Sequence, residues 1–252
     1  MEITQKLIPI GTKRRSGIKN LGVKFIVCHD TGNAGSTALQ NVDYYIKSAN
    51  EMQASAHTFV DDKVILNCIP EDEKAWHVRY GVTGDNKEYG DDANDIALGV
   101  ELCYPKNNNF DGLKAYSNYC KYIAYLCIKY GLDYKTKLES HAKLDPTRRT
   151  DPLNAFSKIG KTWEQFIIDV GAIINSNNKT MKKILRVLTA NYNLESNQTI
   201  VNFVLDEVSE TGEVRQVMFG GRSFEGSVTL EQAMEMIKSD SDKDIEVVTF
   251  VK

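Results

Sequence analysis

The chain has 252 residues, of which 42% are hydrophobic and 26% are charged. This length exceeds that of most single domains, so we expect two units, each a globular fold that needs no cross-links. The formal net charge of −3 provides no general attraction to phosphate backbones or anionic lipid, so nucleic acid is not an expected partner. No apolar run approaches a membrane span, so membrane insertion is not expected.

The N-terminus and the cysteines bear on the compartment. The opening residues, MEITQKLIPIGTKRRSG, lack the apolar stretch of a signal peptide, so we expect synthesis in the cytoplasm. Five cysteines, at positions 28, 68, 103, 120 and 127, are odd in number and include no CxxC pair. They are predicted to be reduced, buried thiols.

Histidine and charge are unevenly distributed along the chain. All four histidines lie within the first 141 residues: His29, His57, His77 and His141. Residues 1–180 contain 23 basic and 22 acidic side chains, whereas residues 181–252 contain 8 and 12. Metal or acid–base chemistry is therefore expected in the N-terminal part, and the remainder is acidic.

Two apolar runs predict buried strands in the N-terminal part. Residues 22–28 (GVKFIVC) are apolar and rich in β-branched side chains, and they end at His29 and Asp30. Residues 96–104 (IALGVELCY) form the second run, which Glu101 interrupts. A carboxylate inside a buried strand is costly unless it faces a polar cleft or has a partner.

Helices are predicted between and after these strands. Ser36 is expected to cap the first, Gly131 to end the second, and Thr162 with Gln165 to form a capping box for the third. Their apolar faces contain Leu39, Val42, Ile46 and Ala49, then Leu113, Tyr116, Cys120, Ile123 and Cys127, then Phe166, Ile167, Val170 and Ile174. With a hairpin over residues 56–69 that turns at 61–63, this alternation favours an α/β sheet flanked by helices.

A second, smaller unit is predicted after a polar break. The stretch NSNNKT ends the third helix, and we place a linker at 176–180 between domains at 1–175 and 181–252. Strands are expected at 183–190, 198–205 and 214–219, then a helix that starts with a Thr229/Gln232 capping box, then a strand at 245–251. This β-β-β-α-β order predicts a small α+β domain. Its expected core consists of Leu185, Val187, Phe203, Val204, Phe219, Ile237 and Val248.

Three residues have the chemistry of a catalytic zinc site. His29 ends a predicted strand, and the segment HAKLDPTRRTDP contains His141 and Asp151. Two imidazoles and one carboxylate suffice for zinc and leave a fourth position for water. Spacing alone leaves the alternative open, because a histidine at a strand end is usually a hydrogen-bonding group and Asp-Pro is usually a turn.

Four segments, in order, resemble the zinc-dependent type-2 N-acetylmuramoyl-L-alanine amidases. Relatives in that family include phage endolysins, cytoplasmic anhydromuropeptide amidases and peptidoglycan recognition proteins. The segments are FIVCHDTGN (25–33), SAHTFVDD (55–62) with AWH (75–77), LGVELCY (98–104) and HAKLDPTRRTDP followed by NAFSKIGKTWEQF. The resemblance covers residues 20–175, implies a mixed central sheet flanked by helices, and says nothing about residues 181–252.

The resemblance also implies residue roles around one zinc ion. His29, His141 and Asp151 match the ligands. Asp30 and Asp145 are either groups that hold an imidazole N–H or simple strand-end and turn caps.

Glu101 matches the catalytic glutamate, which takes a proton from the zinc-activated water and returns it to the leaving nitrogen. The alternative is a glutamate paired with a buried arginine. Arg149 stands where relatives carry lysine and is expected to stabilise the oxyanion, although Arg148 or neither is an alternative. The cleft segments imply substrate-binding roles for His57, Trp76 and His77. The alternatives are that His57 is an inward-facing strand residue and that His77 is a partner for Trp76.

We therefore expect a hydrolase of the N-acetylmuramoyl–L-alanine bond in bacterial peptidoglycan, acting as a phage or prophage endolysin released through a pore. Two alternatives are a catalytically silent peptidoglycan-binding module and a cytoplasmic muropeptide-recycling amidase. Residues 181–252 are expected to bind the cell wall, with Tyr192 and Phe224 either contacting sugars or packing in the core. Because Met181 follows the linker, an internal start that yields a self-associating copy of residues 181–252 is a further hypothesis.

Overall fold

The computed structural model describes residues 3–81, 84–179, 182–208, 214–239 and 245–249. The chain divides into two compact units, Met1–Ile174 and Asn175–Lys252. Among the described residues, no helix is long and apolar enough to span a bilayer. All five cysteines are buried and free, as predicted.

The first unit is built on a six-stranded mixed sheet with strand order β1-β4-β3-β5-β2-β6. The strands are β1 (Ile3–Gln5), β2 (Phe25–Asp30), β3 (Thr58–Val60), β4 (Ile65–Asn67), β5 (Ala97–Leu102) and β6 (Leu138–Ser140). Neighbouring strands are parallel except β3 and β4, which form the predicted hairpin. The expected mixed α/β sheet is confirmed.

Seven helices accompany this sheet: α1 (Ala38–Lys47), α2 (Asp85–Tyr89), α3 (Ala93–Ile96), α4 (Gly112–Tyr130), α5 (His141–Leu144), α6 (Leu153–Lys158) and α7 (Trp163–Lys179). Side chains of β2 alternate between the two faces of the sheet. Ile26 and Cys28 pack with residues of α4, α6 and α7, whereas Phe25 and Val27 pack with residues of α3 and α5. His29 therefore continues the second face.

Three details of the first unit differ from the prediction. Thr37, not Ser36, caps α1, because the Thr37 hydroxyl accepts from the backbone N–H of Gln40. Leu39 in the first turn of α1 and Leu113 in the first turn of α4 are 48% and 59% exposed rather than part of the core. The predicted linker at 176–180 is helical as far as residue 179, because extending an existing helix costs far less than starting one.

The second unit has the predicted β-β-β-α-β order. Its elements are β7 (Lys182–Asn193), β8 (Gln198–Val208), β9 (Val214–Glu225), α8 (Leu230–Ser239) and β10 (Ile245–Thr249), with strand order β10-β7-β8-β9. Leu185, Val187 and Ile237 belong to its buried core, as predicted.

The burial of Phe224 and the exposure of Phe219 show which face of this second sheet is covered. Phe224 is buried with the core, so the packing alternative holds for it, whereas Tyr192 remains partly exposed. Phe219 is 64% exposed, which contradicts its predicted core position. It pairs with Val204, and both alternate away from the strand residues that pack with α8. The side chain of Val248 lies outside the described residues.

Candidate metal centre and active site

Two histidines meet at the carboxyl end of the first sheet. In the parallel pair β2 and β6, Cys28 lies opposite Ser140. His29, the next residue of β2, and His141, which directly follows β6, therefore lie side by side, with ring centroids 4.6 Å apart. The carboxyl ends of parallel strands are the usual place for a ligand site in such sheets.

Asp151 joins the two imidazoles. Its Oδ2 is 2.9 Å from Nδ1 of His29 and 3.0 Å from Nδ1 of His141. Its carbonyl oxygen accepts from the backbone N–H of Ala142 at 2.9 Å, which fixes the loop to α5. Burial raises the pKa of the Asp151 carboxyl, but the hydrogen bonds from the two imidazoles outweigh burial and hold that pKa below its usual range.

These three residues fit a metal ion. One donor atom from each lies within 4.8 Å of the other two. Two imidazole nitrogens and one carboxylate oxygen are the donor set of a catalytic zinc, whose tetrahedral geometry places donors about 3.3 Å apart. Burial lowers the pKa of His29 to about 4, which keeps the imidazole in the neutral form that binds a metal. The ligand set proposed from sequence is therefore brought together.

His77 holds the first of these histidines in place. Its Nδ1 is 3.1 Å from Nε2 of His29, so the nitrogen of His29 that faces away from Asp151 has a partner. The His77 ring lies over Gly99 on β5, where a Cβ atom would come within 2.4 Å of ring carbon Cγ. His77 also lines the cavity. His77, which was predicted to bind substrate, is thus first a hydrogen-bond partner of a candidate metal ligand.

A cavity of about 720 Å³ opens over the three candidate ligands. Of the residues given possible site roles from sequence, the ones that line it are His29, Asp30, Trp76, His77, Glu101, His141, Arg148, Arg149 and Asp151. The Trp76 ring is backed by the Lys74 ammonium group, which lies 4.4 Å from the ring centroid. The cavity therefore combines a floor of three candidate metal ligands with an aromatic wall.

Glu101 faces this cavity from the strand next to His29. The two residues are direct partners on β5 and β2, so their side chains share one face. The Oε2 atom of Glu101 is buried and has no hydrogen-bond partner within the described residues. Burial and the charges of Asp151 and Asp30 raise the pKa of Glu101 well above its ordinary value, although Arg149 opposes them. No arginine in the described part of the chain forms an ion pair with Glu101, so that alternative is not supported.

The two neighbouring arginines differ in their surroundings. Arg148 forms an ion pair with Asp145, whereas Arg149 has no ion pair in the part of the chain that the structure describes. Both line the cavity. The charge of Arg149 acts on Glu101, so Arg149 is a cation available to a substrate, and Arg79 also lines the cavity.

Two aspartates do not hold imidazoles. Asp30 accepts hydrogen bonds from the backbone N–H groups of Gly32 at 2.9 Å and Ala155 at 3.1 Å. Asp145 is occupied by Arg148. Of the two alternatives raised for them, the cap is therefore correct for Asp30, and Asp145 orients an arginine.

The prediction that His57 binds substrate is contradicted. His57 is 1% exposed and does not line the cavity. Its Nδ1 accepts from the backbone N–H of Gly99 at 3.0 Å, and its Nε2–H donates to the carbonyl oxygen of Glu73 at 2.9 Å. Because both ring nitrogens are satisfied by backbone groups, His57 joins β5 to the segment before Trp76.

Several cavity residues were not predicted from sequence, and Tyr45 is one of them. Tyr45 lines the cavity, while its neighbour Tyr44 is exposed. The Tyr45 ring packs edge-on against Phe59 at 5.2 Å and lies 4.3 Å from the guanidinium carbon of the buried Arg14. The signal in the sequence was incomplete, because adjacent tyrosines on one helix show only that one of them faces inward.

The sequence is similar to those of known proteins. Residues 19–154 match the family described as N-acetylmuramoyl-L-alanine amidase. The chain is 31% identical over 139 residues to the N-acetylmuramoyl-L-alanine amidase CwlL of Bacillus licheniformis, which covers 52% of this chain and 37% of that protein. It is 33% identical over 138 residues to the N-acetylmuramoyl-L-alanine amidase BlyA of Bacillus subtilis, again covering 52% and 37%. The chain thus spans less than two fifths of the length of these curated relatives.

The solved structures agree on the fold. A mutant endolysin from Bacillus subtilis aligns with a TM-score of 0.53 at 26% identity, covering 68% of this chain and 99% of that chain. The family match covers more than half of this chain and contains His29, Glu101, His141 and Asp151. The chain therefore belongs to the type-2 N-acetylmuramoyl-L-alanine amidase family.

Proposed function

We propose that this protein is a zinc-dependent hydrolase that cleaves the amide bond between N-acetylmuramic acid and L-alanine in bacterial peptidoglycan. The observation that carries the proposal is the convergence of His29 Nδ1, His141 Nδ1 and Asp151 Oδ2 on the floor of a cavity that Glu101 also lines. Family membership supports the choice of bond.

Glu101 is the proton-transfer group in this proposal. A zinc ion held by the three ligands supplies a water molecule of lowered pKa and an electrophile for the substrate carbonyl. Glu101 takes the proton of the attacking water and then delivers it to the departing alanine nitrogen. Because burial raises its pKa, the Glu101 carboxyl can hold a proton between these two steps more readily than an exposed glutamate can.

Arg149 and Tyr45 act on the substrate carbonyl and its surroundings. Arg149, which has no ion pair in the described ranges, stabilises negative charge that develops on the carbonyl oxygen. The Tyr45 hydroxyl stays protonated at neutral pH because burial raises its pKa, so Tyr45 is a neutral hydrogen-bond donor in the cavity. With Arg148, these groups favour a substrate that carries carboxylates, as peptidoglycan stem peptides do.

Metal analysis and one substitution test the mechanism. We expect about one zinc ion per chain, and loss of activity on chelation that zinc restores. Glu101→Gln should keep the zinc and the fold but reduce the turnover number by at least about 10²-fold. The matched control is Glu71→Gln, which removes a carboxylate bonded to Lys129 and Tyr130 outside the cavity. Full activity without metal, or a near-normal rate for Glu101→Gln, would contradict the mechanism.

We also propose that the protein acts as a phage or prophage endolysin, made in the host cytoplasm and released through a separately encoded pore. Its likeness to a Bacillus endolysin supports this role. Residues 181–252 are proposed to bind the cell wall. A chain that ends at residue 179 keeps all of α7, and we expect it to retain activity on soluble muropeptides but to sediment less with purified walls. Equal sedimentation would remove the anchoring role.

The same assays separate the alternatives. A recycling amidase would prefer soluble muropeptides to intact walls, and a silent binding module would sediment with walls but release no product. The presence of all three candidate ligands and Glu101 favours the enzyme over the silent module. Self-association of residues 181–252 would appear as a concentration-dependent mass in sedimentation velocity, and Met181, the suggested internal start, lies outside the described residues.

A further inference from the structure

The second ring nitrogen of a metal-bound histidine normally donates to an acceptor that fixes its orientation. For His29 this acceptor is His77. His141 lacks the equivalent contact: its Nε2 atom is buried and has no hydrogen-bond partner among the described residues. Since a buried N–H without an acceptor is costly, an acceptor for His141 is expected nearby.

Asp85, the first residue of α2, is a candidate for this acceptor. The residue is fully buried, and its Oδ2 accepts from the backbone N–H of Ala93. Its Oδ1 is buried and, within the described ranges, has no partner. Asp85 thus offers one engaged and one open carboxylate oxygen.

The backbone places Asp85 beside the helix that begins at His141. The N–H of Gly84 donates to the carbonyl oxygen of Leu144, the last residue of α5, at 2.9 Å. Asp85 directly follows Gly84, and His141 lies three residues before Leu144 in α5, so this hydrogen bond brings the two segments together. Asp85 does not line the cavity.

We propose that Asp85 is a positioning residue of the metal centre, with its Oδ1 accepting the Nε2–H of His141 while His141 Nδ1 faces the metal. This inference rests on the proposed metal site. The contact fixes the imidazole tautomer and makes the Nδ1 atom a stronger donor. The two histidine ligands then differ, because His29 is supported by a neutral imidazole and His141 by a carboxylate.

Asp85→Asn tests the proposal, because an amide that keeps its oxygen toward Ala93 turns an NH₂ group toward His141. The matched control is Asp92→Asn. Asp92 is equally buried in the same segment, but within the described residues its two side-chain oxygens accept only from the backbone N–H groups of Asn94 and Gly81. We expect Asp85→Asn to weaken zinc binding, measured by competition with a chelator, by about 10–100-fold. The visible spectrum of the cobalt-substituted protein should change as well, whereas Asp92→Asn should alter neither.

Each outcome has a separate meaning. If wild-type protein binds no zinc, the proposed metal site fails. If wild-type protein binds zinc and Asp85→Asn binds it equally well, or if Asp92→Asn weakens binding to the same extent, the role of Asp85 is overturned. Should Asp85→Asn fail to fold, a crystal structure of the zinc-loaded wild-type protein decides instead: hydrogen-bond contact between Asp85 Oδ1 and His141 Nε2 is expected, and a different acceptor for His141 would contradict it.

Discussion

Gly99→Ala should disturb the metal site although residue 99 is not a ligand. The added Cβ would lie 2.4 Å from Cγ of His77 and 2.7 Å from its Cβ, whereas ordinary contacts begin near 3.4 Å. The His77 ring must therefore move by about 1 Å, the difference between 3.4 and 2.4 Å. Its bond to His29 is already 3.1 Å long, so the shift breaks that bond.

Two costs add in this variant. Overpacking a filled site costs about 1–3 kcal/mol, and leaving the buried Nε2 atom of His29 without its His77 partner costs about 1–3 kcal/mol. We expect the free energy of unfolding of the metal-free protein to fall by about 2–6 kcal/mol. Zinc affinity should fall by about 10–100-fold because the partner of a ligand is lost.

Urea titration of the metal-free protein and chelator competition measure these two effects. Gly84→Ala is the control: a Cβ there meets nothing closer than 3.8 Å, and the backbone φ of −77° suits alanine. It should leave zinc affinity unchanged and stability the same or slightly higher. If Gly99→Ala matches wild-type protein in both assays, the packing of His77 on Gly99 does not orient His29 and the reasoning fails.

Three more predictions concern other parts of the chain. Burial lowers the pKa of His57 to about 4, whereas the unfolded value is about 6.5. Below a pH of about 6.5 the unfolded state therefore binds more protons than the folded state. This group should then lower the free energy of unfolding by about 1.4 kcal/mol per pH unit, or about 2 kcal/mol at about pH 5. His57→Asn should lack this component in urea titrations at pH 5 and 7, and an unchanged pH dependence would contradict it. Arg149→Ala should reduce the turnover number for wall hydrolysis by about 10²-fold, whereas Arg148→Ala should reduce it by less than about tenfold. If Arg148→Ala causes the larger loss, Arg148 and not Arg149 stabilises the oxyanion. Leu185→Ala should lower the free energy of unfolding of the second unit by about 2–5 kcal/mol, measured by thermal unfolding. Zinc affinity should not change, and a loss of zinc binding would show that the metal site depends on the second unit.

The sequence was sufficient where local patterns determine the structure. The apolar run before His29 formed β2, and the single carboxylate in the second run proved to face the cavity because alternation sends Val100 and Leu102 to the other side of β5. The Thr229/Gln232 capping box is present at the start of α8. These features depend on neighbours in the chain.

Other features depend on contacts between distant segments. The three-residue strand β6 is too short to show alternation, yet its pairing with β2 is what places His141 beside His29. His57 was misinterpreted because its partners, the backbone of Gly99 and of Glu73, lie 42 and 16 residues away. The exposed Phe219 was assigned to the core because alternation alone does not say which face of a sheet a helix covers.

The chemical identity of the bond that is cut tests the account most directly. Purified cell walls digested with the zinc-loaded protein should release new amino termini that are alanine, with no new reducing sugar ends. Walls treated with the Glu101→Gln variant should show neither new alanine amino termini nor new reducing sugar ends. New reducing ends, or amino termini other than alanine, would contradict the claim that this protein is an N-acetylmuramoyl-L-alanine amidase.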